Sequence, residues 1–176
     1  MKTLFDLFFD ICLLRRGPQD LPTSVGLLRL TALVYAIVAL ALASVGSEMG
    51  RATAQVLIDI ALTMLFVQLV LRWKGHAERF VQTLTAMFGA SAILTALGLP
   101  LLFWLRRYVD DQGMVGAGGD LPSFLWFVLF MWSLLVTGHI LRNALQMRLG
   151  AAVLLAGAYT FGSISITGML LPSAAG

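Results

Sequence analysis

The run from Ala52 to Leu71, ATAQVLIDIALTMLFVQLVL, constrains this chain more than any other stretch. About 20 apolar residues at a rise of 1.5 Å each reach across the roughly 30 Å hydrocarbon core of a bilayer. One carboxylate, Asp59, stands within it. A charge at that depth costs on the order of 2.5–3.5 kcal/mol on insertion scales, so Asp59 should face other helices, water or a partner cation. A single spanning helix offers no such shelter. The stretch therefore implies a polytopic helical bundle.

Composition agrees. The 176 residues are 59% hydrophobic and 12% charged, against about 45–50% and about 25% for a soluble domain. The mean hydropathy is +0.89. A net charge of +3, scattered and without a basic, aromatic-laced helix or loop, gives no nucleic-acid footprint. The one cysteine, Cys12, excludes an internal disulfide and a Cys-only metal cluster.

Residues 2–16, KTLFDLFFDICLLRR, place Lys2, Asp6 and Asp10 on one helical face with bulky apolar residues around the rest. This pattern suits an amphipathic helix lying in the membrane interface. The two aspartates interrupt what would be the apolar core of a signal peptide, so the segment reads as retained. Gly17-Pro18 should end the helix, and residues 1–22 form an interfacial helix with its connector.

Residues 23–176 read as a bundle of five spans, at about 24–44, 52–71, 80–105, 121–144 and 148–171. Arg29 lies one or two turns into the first span, where it either snorkels to the headgroups or pairs with Asp59. Two stripes of small residues permit close helix approach: Ala32, Ala36, Ala39 and Ala43, then Thr85, Gly89, Ala92 and Ala96. Gln82, Thr83, Ser91 and Thr95 can bond across helices, each worth about 0.6 kcal/mol. Pro100 should kink or break the third span toward its far end, and Pro172 should stop the fifth.

Loop charge sets the orientation. Lys2, Arg15, Arg16, Arg72, Lys74, Arg79, Arg142 and Arg148 fall on one side, and Arg51, Arg106 and Arg107 on the other. The richer side is read as cytoplasmic. The amino terminus then lies inside and the carboxy terminus outside, in a plasma membrane of bacterial inner-membrane type.

The intramembrane polar candidates are Asp59, Arg29 and His139. An intramembrane carboxylate is a functional candidate by default, as a proton or cation carrier or as a structural bond between helices. The basic loop Arg72, Lys74, His76 and Arg79 is the candidate partner-facing surface. No pair of His or Cys shows zinc-ligand spacing, and no Ser or Cys sits in a nucleophile elbow. The run GMVGAGGD lacks the phosphate-loop pattern. No cofactor is therefore expected, and the motifs identify no small-molecule substrate. Asp110, Asp111 and Asp120 could act on a headgroup, but read more simply as a solvated loop.

The layout resembles the five-span Yip1-type membrane proteins. The resemblance lies in Gly17-Pro18 ahead of the first span, a third span running from Phe88-Gly89-Ala90 to Pro100, and five closely spaced helices. The Asp that often precedes the Gly-Pro and the Gly-Tyr pair of the third span are absent. The resemblance implies a trafficking-type adaptor and no catalytic residues. Two functions follow as expectations. The first is a non-enzymatic accessory or scaffold subunit that binds the bilayer and other membrane proteins, or itself. The alternative is a small proton- or cation-coupled carrier or channel using Asp59.

Overall fold

Apolar stretches with no water beside them can satisfy their backbone N–H and C=O groups only as helices or closed barrels, and this chain chooses helices throughout. A computed structural model describes residues 4–110 and 113–171. Lys2, Asp111 and Pro172 lie outside the described residues. A short helix, α1 (Leu4–Cys12), precedes α2 (Val25–Ala43), α3 (Met49–Trp73), α4 (Phe80–Leu105), α5 (Asp120–Leu145) and α6 (Leu149–Leu170). The last five are long and apolar enough to cross a membrane. The fold is all-α, with the architecture of a multi-pass membrane protein. Among the described residues the one extended pairing is an isolated bridge between Val109 and Val115.

Helix α4 is the post around which the others stand. Residues Thr83 to Ala90 are buried without interruption, because α1, α2, α3 and α5 all pack on it. Helix α6 packs on α5 and α3. Two glycines set the closest approaches. A Cβ on Gly89 would enter the Phe8 ring, and one on Gly138 would lie 2.9 Å from the Val153 Cα. Glycine is needed at both because ring and backbone occupy the space of a side chain.

Three arginines close helix ends. The last carbonyls of a helix have no intrahelical donor and carry the negative end of its dipole. Arg79 donates to the Asn143 and Ala144 carbonyls at 3.3 and 3.1 Å, at the end of α5. Arg51 donates to Leu171 O at 2.6 Å, just past α6. Arg106 donates to Val45 O, just past α2. Each comes from a neighbouring helix and ties two spans together at one end.

Helix α1 stops at Cys12, earlier than the Gly17-Pro18 break expected from sequence. Leu14 adopts a left-handed conformation (φ 61°), Leu14 N–H bonds Ile11 O, and Arg15 N–H bonds Asp10 O. This is a Schellman turn with leucine where glycine is usual. Asp10 then meets Arg16 at 3.3 Å. Phe8 rests on Gly89 and the Cys12 thiol on Ala90 O, nine and ten residues into α4, about 14 Å along it. Burial pushes the Cys12 thiol up to about 11. Helix α4, for its part, runs on through Pro100 to Leu105. Proline is tolerated in a spanning helix when neighbours satisfy the freed backbone group, so no break appears.

Candidate functional site

Asp59 sits ten residues into α3, about 15 Å from its first residue at 1.5 Å per residue, near mid-bundle. Its Oδ2 accepts the Tyr35 hydroxyl of α2 at 2.5 Å. Four residues on, on the same face of α3, Thr63 shares a 2.6 Å hydrogen bond with the Tyr159 hydroxyl of α6. The Tyr159 ring also stacks on Phe66 at 4.3 Å. Helix α3 is thus fastened on both sides by a tyrosine hydroxyl, one from α2 and one from α6.

Between these fasteners and α4 and α5 lies a cavity of about 230 Å³. All five spans line it: Tyr35, then Asp59 and Thr63, then α4 from Met87 to Thr95, Ser133 to Ile140 of α5, and Tyr159 and Thr160. Its wall is half hydroxyl and half hydrocarbon. Ser133 and Thr160 give their protons to carbonyls of their own helices, Phe130 O at 2.7 Å and Ala156 O at 2.9 Å, which leaves oxygen lone pairs as acceptors. Among the described residues, Ser91, Thr95 and Thr137 have no hydrogen-bond partner, and Asp59 Oδ1 has none. No Lys or Arg lines the cavity. An ionised carboxylate at hydrocarbon depth needs a positive charge beside it. The described residues supply none there, so a proton or a bound cation must balance it. The arrangement can therefore hold a proton or a small cation.

The other sequence candidates go elsewhere. Arg29 is exposed on α2 and makes no bond to Asp59, whose partner is Tyr35; the pair considered between them does not form. His139 is nearly buried at the α5 end, where its Nε2 meets Arg16 O at 2.9 Å. The same Nε2 lies 3.1 Å from Asn143 Nδ2, so its donor or acceptor role depends on the tautomer. His139 clamps the segment after α1 and does not line the cavity. In the basic loop, Arg72 and Lys74 are exposed, with the Lys74 ammonium 4.9 Å from the Trp73 ring centre. His76 lies 3.7 Å from Glu78. Arg79 donates to the end of α5 and lies 3.8 Å from the exposed Glu78, so it closes a helix end while remaining partly exposed. Asp110 accepts Met114 N–H at 2.7 Å within its own loop, and Asp120 opens α5, where a carboxylate complements the helix dipole. No group of three acidic, His or Cys side chains able to hold a metal occurs among the described residues.

Sequence reasoning missed Tyr35, Ser133 and Thr137 as members of the site. Tyr35 and Tyr159 carried a usable signal, since membrane tyrosines favour the interfaces and these two stand mid-span. A serine or threonine within a span carries no such mark, because most bond their own helix. The sequence matches no family model, and no curated protein or solved structure is significantly similar to it.

Proposed function

We propose that this is a non-enzymatic integral membrane protein whose central cavity binds a proton or a small cation at Asp59, as a small carrier or channel. One observation carries the reading: a carboxylate without a cationic partner lines a polar mid-bundle cavity to which all five spans contribute. Sites near the bilayer midplane, formed between helices, are where secondary transporters place substrate and coupling ion. The loop-charge asymmetry supports a cytoplasmic amino terminus in an inner membrane. Helix α1, amphipathic in sequence, enters the bilayer from that side.

The test is proton and cation flux in liposomes with Asp59→Asn beside the native protein. The substitution keeps the shape and a hydrogen-bonding oxygen for Tyr35, and removes the charge. Flux should vanish while thermal stability holds. A native protein without flux, together with a destabilised Asp59→Asn, makes the carboxylate a structural pin.

A second reading, an accessory or trafficking-type subunit, draws on the exposed Arg72, Trp73 and Lys74 at one end and on the Yip1-type layout. Native mass spectrometry from the source membrane separates the two. A stoichiometric second protein supports the accessory role, and a lone chain or homo-oligomer supports the carrier.

A further inference from the structure

We infer that the ligand of the Asp59 cavity is a small monovalent organic cation, a primary ammonium on a short apolar body, exchanged one for one with a proton. The inference rests on the carrier reading above and narrows it to a ligand class. Asp59 contributes the cavity's one formal charge. A single carboxylate is balanced by one positive charge, so a divalent ion leaves an excess. When the ammonium enters, the carboxyl proton must leave. The site is neutral in both states, and the exchange moves one charge each way.

Three features separate an ammonium head from other monovalent cations. Its N–H groups need acceptors converging from different directions. Asp59 on α3, Ser91 and Thr95 on α4 and Thr137 on α5 line the cavity from three helices, and Asp59 Oδ1 and the three hydroxyls have no partner among the described residues. A fully alkylated ammonium would leave them unpartnered still, at the cost that follows. An alkali ion in a membrane site is usually coordinated by main-chain carbonyls freed where a helix unwinds. Here α3, α4, α5 and α6 pass the cavity as continuous helices; the one carbonyl that Pro100 leaves without its helical donor, Ala96 O, belongs to a residue that does not line the cavity.

The rest of the wall fits a carbon chain. Met87, Phe88, Val136 and Ile140 provide an apolar side. The Tyr35 and Phe88 rings, stacked at 5.6 Å, offer an aromatic edge and face to the methylene beside the nitrogen. A volume of about 230 Å³ exceeds what one water requires and falls below the roughly 300–1,000 Å³ of sites for drug-sized ligands. The ligand is small.

Calorimetric titration of the purified full-length chain with n-butylammonium, tetramethylammonium and sodium chloride tests this. Buffers of different ionisation heat count protons. Butylammonium should bind about tenfold tighter than tetramethylammonium, release a proton in acid buffer, and lose binding in Asp59→Asn. Thr137→Val, which takes no part in the Tyr35–Asp59 bond, should weaken butylammonium about tenfold and leave tetramethylammonium unchanged. It keeps the test decisive should Asp59→Asn fail to fold. Butylammonium binding that is absent, or indifferent to Thr137→Val, overturns the ammonium assignment. If protons or sodium then still move in an Asp59-dependent way, the carrier reading stands without it. If no ion does, both fall.

Discussion

The Asp59 cavity and the junction of α1 with α4 and α5 both lie inside the bundle, and they treat polar groups in opposite ways. At the junction, side chains reach out to satisfy backbone. Trp132 Nε1 donates to Cys12 O at 3.0 Å, Gln82 to Leu21 O at 2.9 Å and Arg79 to the end of α5, and His139 meets Arg16 O. Around these bonds Ile11, Leu84, Ile140 and Leu141 are essentially fully buried. In the cavity three hydroxyls and a carboxylate oxygen face open space instead. A membrane bundle gains little from burying apolar surface away from equally apolar lipid. Close contact and satisfied polar groups must hold it, and the junction has both. Polar groups left unsatisfied cost stability, and their concentration in one place fits the binding role proposed for the cavity.

Substitutions should separate the two regions, beginning with the largest effect. Gly138→Val forces α5 and α6 apart, because its Cβ would meet the Val153 backbone. We expect a loss of about 3 kcal/mol, seen as a sharply lowered melting temperature in detergent. A small change would mean that α5 and α6 sit less tightly than this contact suggests. Tyr35→Phe leaves Asp59 Oδ2 without its donor and should cost about 1–3 kcal/mol, with ligand affinity changed as well. At the junction His139→Ala should cost a similar amount, measured by thermal unfolding, but leave flux intact. That contrast is the sharpest test of the division.

Two further changes should stabilise. Thr83 is fully buried with no partner for its hydroxyl among the described residues, so Thr83→Val should gain about 1 kcal/mol in chemical unfolding. Gln146 caps α5 in the left-handed region (φ 52°) and is exposed. Gln146→Gly should gain roughly 0.5 kcal/mol by the same measurement. Comparable gains from Ser91→Ala or Thr137→Val, combined with unchanged ligand binding, would erase the distinction between the regions.

What the chain alone determined is its architecture. Runs of apolar residues as long as a bilayer is thick must be helical, since water is absent and the backbone has to bond itself. Five such runs make five helices, and Asp59 is visible as the charge that needs shelter. Length and period are local properties, which is why they can be read. Partners are not local. That Asp59 meets Tyr35 and not Arg29, that His139 and Arg79 serve the backbone of other segments, and that Leu14 ends α1 before Gly17-Pro18 all depend on which helix stands beside which. The same holds for Pro100, tolerated inside α4. Ser91, Thr95 and Thr137 look in sequence like any hydroxyls in a membrane helix. Only the placement of α4 and α5 beside α3 brings them to the cavity that Asp59 lines, because a hydroxyl's role is set by what it faces across the bundle.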